Sequence, residues 1–247
     1  MDIRFLGTNG WFDTRTGNTT CVFINSKNYY IILDAGNGIY KIGRYIKEAK
    51  PVYLFLSHFH LDHIIGLHIL NKFHFPAGLV LFGQEGTQQI LHTFVNEPFT
   101  IPFADYSYPV TIRELSEGTH AVPFPVESRA LLHSTPCFGY RIAIDGTTIT
   151  YCTDTGVCDN AIRLARNADI LIAECSLKSG EKNLTWPHLN PEDAIYIAKK
   201  SNAKKLALIH FDANAYKKIK ERHLIQKEME KYFPGLIVTT DGKKVIL

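Results

Sequence analysis

The sequence predicts an α/β fold, a four-layer αββα sandwich in which two mixed β-sheets pack face to face and helices cover their outer faces. Each half of the chain has the pattern of strands followed by helices, an order that favours two sheet–helix layers. Of the 247 residues, 45% are hydrophobic, so the chain can bury a sizeable core. No linker rich in Pro, Gly or Ser divides it. We therefore expect a single domain over residues 1–247.

Hydrophobic periodicity locates the elements of the first half. Apolar runs predict strands at 3–6, 21–24, 29–33, 52–56 and 79–82, and helices at 39–47, 64–70 and 87–95. The run 52–56 is continuously apolar between Pro51 and Ser57, which is typical of a strand buried on both faces. Potential metal ligands begin directly after this strand, at His58.

The second half is rich in strands before it alternates strand and helix. The pattern predicts strands at 110–115, 121–125, 129–133, 138–144, 148–152, 170–173 and 206–209, helices at 159–166, 191–201 and 215–232, and a closing hairpin from 236–239 and 243–247. Asp145-Gly146 is a typical turn sequence between paired strands. Asn190 can cap a helix that begins at Pro191, a residue suited to the first helical turn.

Composition narrows the class of function. The formal net charge is +3, and we interpret the lysine clusters near the C-terminus as solvated helix faces rather than a nucleic-acid surface. The five cysteines are scattered without a Cys-x-x-Cys pair, which argues against a disulfide framework and a thiolate zinc site. The sequence shows neither a signal-peptide pattern nor an apolar run of about 18 residues. We expect a cytoplasmic protein without membrane contact.

The strongest chemical signal is a run of metal-ligand residues. Four of them fall within six positions, namely His58, His60, Asp62 and His63. If the chain leaves the strand extended and then turns into a helix, His58 and His60 project to one side, and Asp62 and His63 reach a second position nearby. Zinc favours imidazole and carboxylate ligands. Because burying these groups together is costly without a cation, the run predicts a metal site rather than a polar surface loop.

Three more hydrophilic residues end apolar runs elsewhere in the chain. His133 closes the predicted strand 129–133, Asp154 follows 148–152, and His210 follows 206–209. A side chain at the end of a strand is placed to enter a cleft. Each residue alone is weak evidence, but together with the first run they indicate a site with two metals.

This order of residues resembles the metallo-β-lactamase superfamily, and in detail its ribonuclease Z-like and cyclic phosphodiesterase-like members. The resemblance covers nearly the whole chain. The segments that carry the ribonuclease Z-like detail are His133-Ser-Thr-Pro-Cys-Phe-Gly139-Tyr140, Asp154-Thr155-Gly156, Glu174-Cys175-Ser176 and His188-Leu-Asn-Pro-Glu-Asp-Ala194.

The resemblance implies two divalent metals. One would be held by His58, His60 and His133, the other by Asp62, His63 and His210, with Asp154 bridging them. Two metals allow a bridging hydroxide to form near neutral pH, and Asp62 could orient or deprotonate this nucleophile. The flavin-associated di-iron oxygen reductases have a glutamate where His60 stands. An imidazole at this position therefore favours zinc and hydrolysis, with Mn²⁺ and Fe²⁺ left open.

The same resemblance implies a proton donor. His188, paired with Glu174, would protonate the leaving oxygen, because the carboxylate holds the imidazole's orientation and favours its charged form. The alternative is that His188 lies at a helix N-terminus without a chemical role.

Two differences from the related enzymes narrow the range of expected substrates. The tRNA-processing members insert an exosite arm between the residues matched by His133 and Asp154, and a predicted hairpin fills that short interval here. We therefore do not expect tRNA processing through an exosite, although RNA stays open. The phosphonate-pathway cyclic phosphodiesterases carry an early cysteine cluster that this chain lacks.

The expected activity is hydrolysis of a small or cyclic phosphate ester or nucleotide. A thioester, lactone or ester hydrolase on the same metals is one alternative. A non-catalytic metal-binding accessory protein is the other.

Two loops are candidates for contact with a substrate or partner. In the loop 10–18, Trp11 or Phe12 could stack on a base and Arg15 could meet a phosphate, or the two aromatic side chains pack under the loop. The aromatic segment 96–108 has no clear pattern. A lid, a homodimer surface and a satellite core cluster are all open for this segment.

Overall fold

Two seven-stranded β-sheets form the centre of the computed structural model, which describes residues 1–183 and 185–247. Numbered in chain order, the strands are β1 (Asp2–Gly7), β2 (Asn9–Gly10), β3 (Cys21–Asn25), β4 (Tyr30–Leu33), β5 (Val52–Phe55), β6 (Leu79–Gly83), β7 (Val110–Glu114), β8 (Gly118–Ala121), β9 (Pro125–Ala130), β10 (Phe138–Ile144), β11 (Thr147–Cys152), β12 (Ile170–Glu174), β13 (Leu206–Ile209), β14 (Phe211–Asp212), β15 (Leu236–Val238) and β16 (Lys244–Ile246). The α-helices are α1 (Leu61–Ile64), α2 (Thr87–Phe94), α3 (Asp159–Leu164), α4 (Pro191–Lys200) and α5 (Ile219–Met229), and 3-10 helices span Asn37–Arg44, Ile65–Lys72 and Phe103–Asp105.

Both sheets are mixed. The first has the strand order β16-β1-β3-β4-β5-β6-β7 and the second β15-β13-β12-β11-β10-β9-β8, while β2 and β14 form a separate two-stranded ladder. Strands β4 to β7 are parallel in the first sheet, and β11, β12, β13 and β15 are parallel in the second. The carboxyl ends of each parallel set lie at one edge of the sheet, where side chains from several strands converge.

Three clusters of buried side chains hold four layers together. The central cluster lies between the sheets, and Phe55 contacts Tyr140 across it with ring centroids 5.3 Å apart. One outer cluster joins the first sheet to α2 and to two of the 3-10 helices. The other joins the second sheet to α3, α4 and α5. The layers therefore follow the order helix, sheet, sheet, helix, which confirms the predicted αββα sandwich.

The closing strands do not form the predicted hairpin. β15 pairs with β13 in the second sheet, whereas β16 pairs with β1 in the first. The turn between them passes from one sheet to the other, and Gly242 takes a positive φ of 86° there. The carboxylate of Asp241 accepts hydrogen bonds from Thr8 Oγ1 and the Asn18 N–H and pairs with the Lys41 ammonium. The Asp-Gly pair thus marks a turn correctly, but long-range pairing decides which strands it joins.

Two predicted strands around the second-sheet edge are also wrong. The run 121–125 spans the end of β8, the connection 122–124 and the start of β9. Its apolar character reflects Phe124, which lies between two prolines in the sequence and is buried in the central cluster. The predicted strand 129–133 ends early, because β9 stops at Ala130 and the chain turns back before Cys137. His133 therefore lies in a loop rather than at the end of a strand.

Several predicted helices differ in length or type. The helix expected at 215–232 begins at Ile219 and ends at Met229. The segments expected as helices at 39–47 and 64–70 are largely 3-10 turns, and both contain glycine, which weakens longer α-helices. Helix α4 matches its prediction, since the Asn190 side chain accepts the N–H of Asp193 and Pro191 stands in the first turn.

The segment 96–108 divides into two parts. Tyr106 and Tyr108 are buried in the outer cluster of the first sheet, and the Tyr108 hydroxyl donates to the Leu70 carbonyl at 2.6 Å. Phe99 and Ile101 are exposed. The part with Tyr106 and Tyr108 is therefore a satellite of the core. For the part with Phe99 and Ile101, a lid and a homodimer surface stay predictions. Within the described residues, no helix combines the length and the apolar character needed to cross a bilayer.

Candidate metal centre

The candidate ligands lie where parallel strands end. His58 follows β5, Asp154 follows β11 and His210 follows β13 directly. Asp154 and His210 have positive φ values of 50° and 56°, a left-handed backbone that costs a non-glycine residue about 1–2 kcal/mol. Asp34, at the end of β4, has a φ of 56°. Such strain persists only where the surroundings hold it, and it concentrates at functional sites.

A first group of side chains surrounds one oxygen of Asp154. His58 Nε2 lies 3.6 Å and His133 Nε2 lies 3.9 Å from Asp154 Oδ2. His60 completes this group, with its Nδ1 3.4 Å from His133 Nε2. The loop position of His133 therefore does not prevent it from joining the two histidines that follow β5.

A second group surrounds the other oxygen of the same carboxylate. His63 Nε2 and His210 Nε2 lie 3.3 Å and 3.2 Å from Asp154 Oδ1, and 3.1 Å from each other. Asp62 Oδ2 is 3.2 Å from His210 Nε2 and 3.5 Å from His63 Nε2. Asp62, His63 and His210 thus converge closely enough to hold one metal ion.

The spacing suits a metal ion with imidazole and carboxylate ligands. Tetrahedral zinc with bonds of about 2.0–2.1 Å places its ligand atoms about 3.3 Å apart. The distances of 3.1–3.5 Å in the second group agree with this value. In the first group, His58 Nε2 is buried and has no hydrogen-bond partner among the described residues. A cation would satisfy this orphaned nitrogen, so the side chains fit the group that they are predicted to hold.

Protonation states favour metal binding in the first group. Burial lowers the pKa of His58 well below its ordinary value and that of His133 to about 4, so both imidazoles are neutral and keep a lone pair for a cation. Burial raises the pKa of the Asp154 carboxyl, but the neighbouring His210, His63 and His58 more than offset this and lower it overall. The Asp154 carboxylate is therefore ionised. In the second group, burial lowers the pKa of His63 and His210, but the neighbouring carboxylates more than offset this and raise it, so a metal there would replace their protons.

Asp34 fixes the orientation of His63. Its carboxylate is fully buried and accepts a hydrogen bond from His63 Nδ1 at 2.8 Å, which leaves His63 Nε2 facing Asp154. The hydroxyls of Ser57 and Tyr151 also donate to this carboxylate. Sequence analysis missed Asp34, although its place directly after a strand in Asp34-Ala-Gly36 could have indicated it. The structure assigns it the role of a positioning residue.

His210 is held from two sides. Its Nδ1 donates to Ser176 Oγ at 2.9 Å, while the Ser176 hydroxyl donates to the His210 carbonyl. On the opposite face, Gly10 lies so close that a Cβ on this residue would be 2.5 Å from His210 Cε1. The next residue, Trp11, has a φ of 73° and donates its N–H to Asp62 Oδ2 at 2.7 Å.

His188 lies beside both groups of candidate ligands. Its Nδ1 donates to Glu174 Oε1 at 2.6 Å, and its ring is 5.5 Å from that of His133 and 6.0 Å from that of His210. Burial lowers the pKa of His188, but the charge and the hydrogen bond of Glu174 more than offset this and raise it to about 9. Glu174 is itself fixed by the N–H groups of Thr155 and Ser176. His188 precedes the cap of α4 and is not part of the helix.

The two groups of candidate ligands lie at the base of a cavity of about 840 Å³. Its lining includes Trp11, which is 66% exposed, and Trp186, whose indole lies against the His60 imidazole. Arg15 is exposed and does not line this cavity within the part of the chain that the structure describes. Trp11 thus reaches the site, whereas the prediction for Arg15 has no support from the geometry. Trp186 was missed, although it stands two residues before His188.

Comparison with known proteins identifies the family. The model of the beta-lactamase superfamily domain matches residues 29–211, well over half of the chain. The chain belongs to the beta-lactamase superfamily. This match and the ribonuclease Z relatives place it in the ribonuclease Z-like branch of that superfamily, as predicted, and it is a metal-dependent hydrolase.

Individual relatives agree with this assignment. Ribonuclease Z of Bacillus licheniformis is 27% identical, over 86% of this chain and 89% of that protein. The metallo-beta-lactamase fold protein YhfI from Bacillus subtilis has a TM-score of 0.80 at 22% identity, covering 99% of this chain and 98% of that one. A diphosphatase of the PhnP family has a TM-score of 0.71 at 19% identity, and the match covers 100% of the present chain and 97% of the diphosphatase chain. The two solved structures establish the shared fold.

Proposed function

We propose that this protein is a phosphodiesterase that hydrolyses a small or cyclic phosphate ester or nucleotide with two divalent metal ions, zinc being the expected species. One observation carries the proposal. The two oxygens of Asp154 face two separate groups of ligands, His58, His60 and His133 on one side and Asp62, His63 and His210 on the other. A carboxylate in this position can bridge two metals a few ångströms apart, the arrangement that many phosphate-ester hydrolases use.

The chain's own residues supply the rest of the chemistry. When bound, the two metals lower the pKa of a water molecule and neutralise charge on the phosphate oxygens. The neighbouring His63 and His210 hold the pKa of Asp62 below its ordinary value although burial raises it, so Asp62 is ionised and can orient the attacking water. His188 donates its proton to the leaving oxygen, and Glu174 holds the ring in place through Nδ1.

The proton donor favours a phosphodiester over a thioester. An alcohol leaves as a strongly basic oxygen and gains most from a proton, whereas a thiol has a pKa of about 8.5 and leaves readily without one. The ion pair of His188 and Glu174, with its 2.6 Å hydrogen bond, therefore suits ester oxygens. The ribonuclease Z relatives and the PhnP-family diphosphatase support the same choice.

The short connection between β10 and β11 bears on the size of the substrate. Asp145-Gly146 joins these strands directly, so the interval between His133 and Asp154 carries no extended arm. We propose that the substrate binds at the metal cavity alone, without an exosite for tRNA. The whole chain then acts as a single domain.

A panel of substrates tests the proposal. The zinc-loaded protein would be assayed with bis(p-nitrophenyl) phosphate and with thioesters and lactones, and its metals counted by inductively coupled plasma mass spectrometry. We expect two metals per chain and turnover of the phosphodiester. Asp154→Ala should lose metal and activity, and Asp105→Ala, at an exposed position outside the cavity, should lose neither.

Two results would reject this function. Turnover of thioesters or lactones alone would assign the site to carbon esters. Two bound metals without turnover of any substrate would favour a non-catalytic accessory protein.

A further inference from the structure

The part of the cavity beyond the candidate metal ligands is lined by acidic and uncharged side chains. We call this part the outer cavity, and its lining includes Glu181, Asn183, Trp186, Asp212 and Asn214. Two of these five residues are carboxylic acids and none is basic. Among the described residues that line the cavity as a whole, there is no lysine or arginine.

Neither carboxylate of the outer cavity is neutralised. Glu181 is exposed, and among the described residues its carboxylate accepts the backbone N–H of Lys178 at 2.9 Å. The Lys178 ammonium pairs with Glu221 instead, at 3.1 Å. Asp212 accepts the N–H groups of Asn214 and Ala215 through Oδ1. Within the described part of the chain, no ammonium or guanidinium lies within 4.0 Å of either carboxylate. Both negative charges therefore act on whatever enters.

We propose that Glu181 and Asp212 determine specificity by selecting phosphodiesters with a single negative charge and disfavouring those that carry a second phosphate. This inference rests on the proposed phosphodiesterase function. The reacting phosphate lies at the metal centre, where positive charge compensates it. A second phosphate on the remote part of the substrate would face two carboxylates and, among the described residues, no lysine or arginine. Close charges of like sign repel, and this repulsion weakens binding.

The remaining groups of the outer cavity suit an uncharged nucleoside. The amide of Asn214 can both donate and accept hydrogen bonds, and base edges and sugar hydroxyls need both. Asn183 Oδ1 already accepts from Thr185 and Trp186, so its amide contributes the Nδ2 donor. The indole of Trp186, 46% exposed, offers a face on which a base can stack. The preferred substrate is therefore a nucleoside phosphodiester with one phosphate, not a chain with several.

A matched pair of substrates tests the inference. Thymidine 5′-(p-nitrophenyl phosphate) and its 3′-phosphorylated derivative release the same p-nitrophenol and differ by one terminal phosphate. For the zinc-loaded wild type, we expect kcat/KM to be about tenfold lower for the derivative, a difference that shrinks as added salt screens the charges. The ratio of the two values is the measured quantity, because any effect on the shared chemistry cancels.

The variant Glu181→Gln/Asp212→Asn should bring this ratio close to one, mainly by lowering KM for the derivative. Both substitutions keep the size of the side chain, and the amide introduced in place of Asp212 retains an oxygen for the two N–H groups. The control Glu85→Gln/Asp105→Asn removes the same charge from exposed positions outside the cavity and should leave the ratio unchanged.

Three results would overturn the inference while leaving the phosphodiesterase function intact. They are equal turnover of both substrates by the wild type, an unchanged ratio in the cavity variant, and an equal shift in the control. Failure of the fully metal-loaded wild type to cleave either substrate, or bis(p-nitrophenyl) phosphate, would instead overturn the proposed function and this inference with it.

Discussion

The indole of Trp186 lies nearly parallel to the imidazole of His60, with ring centroids 5.9 Å apart and 7° between the planes. Trp186 also approaches His133 and His188, at 5.8 Å and 5.9 Å. One exposed side chain thus contacts two candidate ligands and the proposed proton donor. It is the point where the outer cavity meets the metal centre.

Removal of this indole should weaken the binding of nucleoside substrates. Stacking of a base on an aromatic side chain contributes about 1–3 kcal/mol, so Trp186→Ala should raise KM for thymidine 5′-(p-nitrophenyl phosphate) about tenfold or more. Trp186→Phe should recover most of the loss. An unchanged KM in Trp186→Ala would show that the indole only covers His60.

Loss of the proton donor should affect the rate and not the metals. We expect His188→Ala to lower kcat on thymidylyl-(3′→5′)-thymidine, whose leaving group is an alcohol, by about 10²–10⁴, the usual contribution of a general acid, and to keep two metals per chain. His92→Ala, on the exposed side of α2, is the matched control. A wild-type rate in His188→Ala would remove His188 from the mechanism.

Glu174→Gln should move the alkaline limb of the pH–rate profile. The carboxylate raises the pKa of His188, so its removal lowers that pKa. His188 acts in its protonated form, and this form is lost as pH rises through the pKa. The descending limb of kcat/KM should therefore shift to lower pH in Glu174→Gln, which steady-state assays across pH would measure. If the descending limb stays in place and the metal content is intact, the limb does not report the pKa of a His188 paired with Glu174.

Asp34→Asn should weaken one metal selectively. Asparagine tolerates the left-handed backbone at this position, but it no longer offers a charged acceptor to His63 Nδ1. Replacement of such a supporting carboxylate typically costs about 10–100-fold in metal affinity. Competition with a zinc chelator should show one metal bound with lower affinity and one bound as tightly as in the wild type. Equal weakening of both would mean that Asp34 supports the whole fold and not His63 in particular.

Gly10→Ala should displace His210. The added Cβ would overlap the imidazole, and overpacking of this kind costs about 1–3 kcal/mol. We expect a lower melting temperature and loss of one metal. Gly43→Ala is the control, because its Cβ would meet Phe73 at an ordinary 3.4 Å. Full metal content in Gly10→Ala would show that the loop moves and the ligand does not.

Local patterns predicted the four-layer fold and the residues that meet at its edge. His58 and His210 follow strands that are continuous apolar runs, and Asp154 follows a strand rich in β-branched and aromatic residues. Such runs are visible in the sequence alone. His133 lies beside the other candidate ligands but in a loop and not at the end of a strand, because Leu131 and Leu132 extend an apolar run past the end of β9. The chain bends over residues 132–135, so His133 lies within the bend itself.

Features that depend on long-range packing could not be predicted in this way. The pairing of β15 and β16 with different sheets is decided by partners far away in the chain. The roles of Asp34 and Glu181 depend on which side chains reach them, and no spacing in the sequence records those contacts. Arg15 shows the opposite case, since a suitable residue type in a suitable loop does not reach the cavity.

The left-handed backbone at Asp34, Asp154 and His210 has a consequence for metal loading. Ser57 and Tyr151 hold the Asp34 side chain and Ser176 holds that of His210, so bonds from the polypeptide itself contribute to the geometry of the centre. Chelation should therefore leave an intact apoprotein that regains zinc without refolding. A protein of this kind can exchange metals in the cell at the rate of ligand opening, not at the much slower rate of global unfolding.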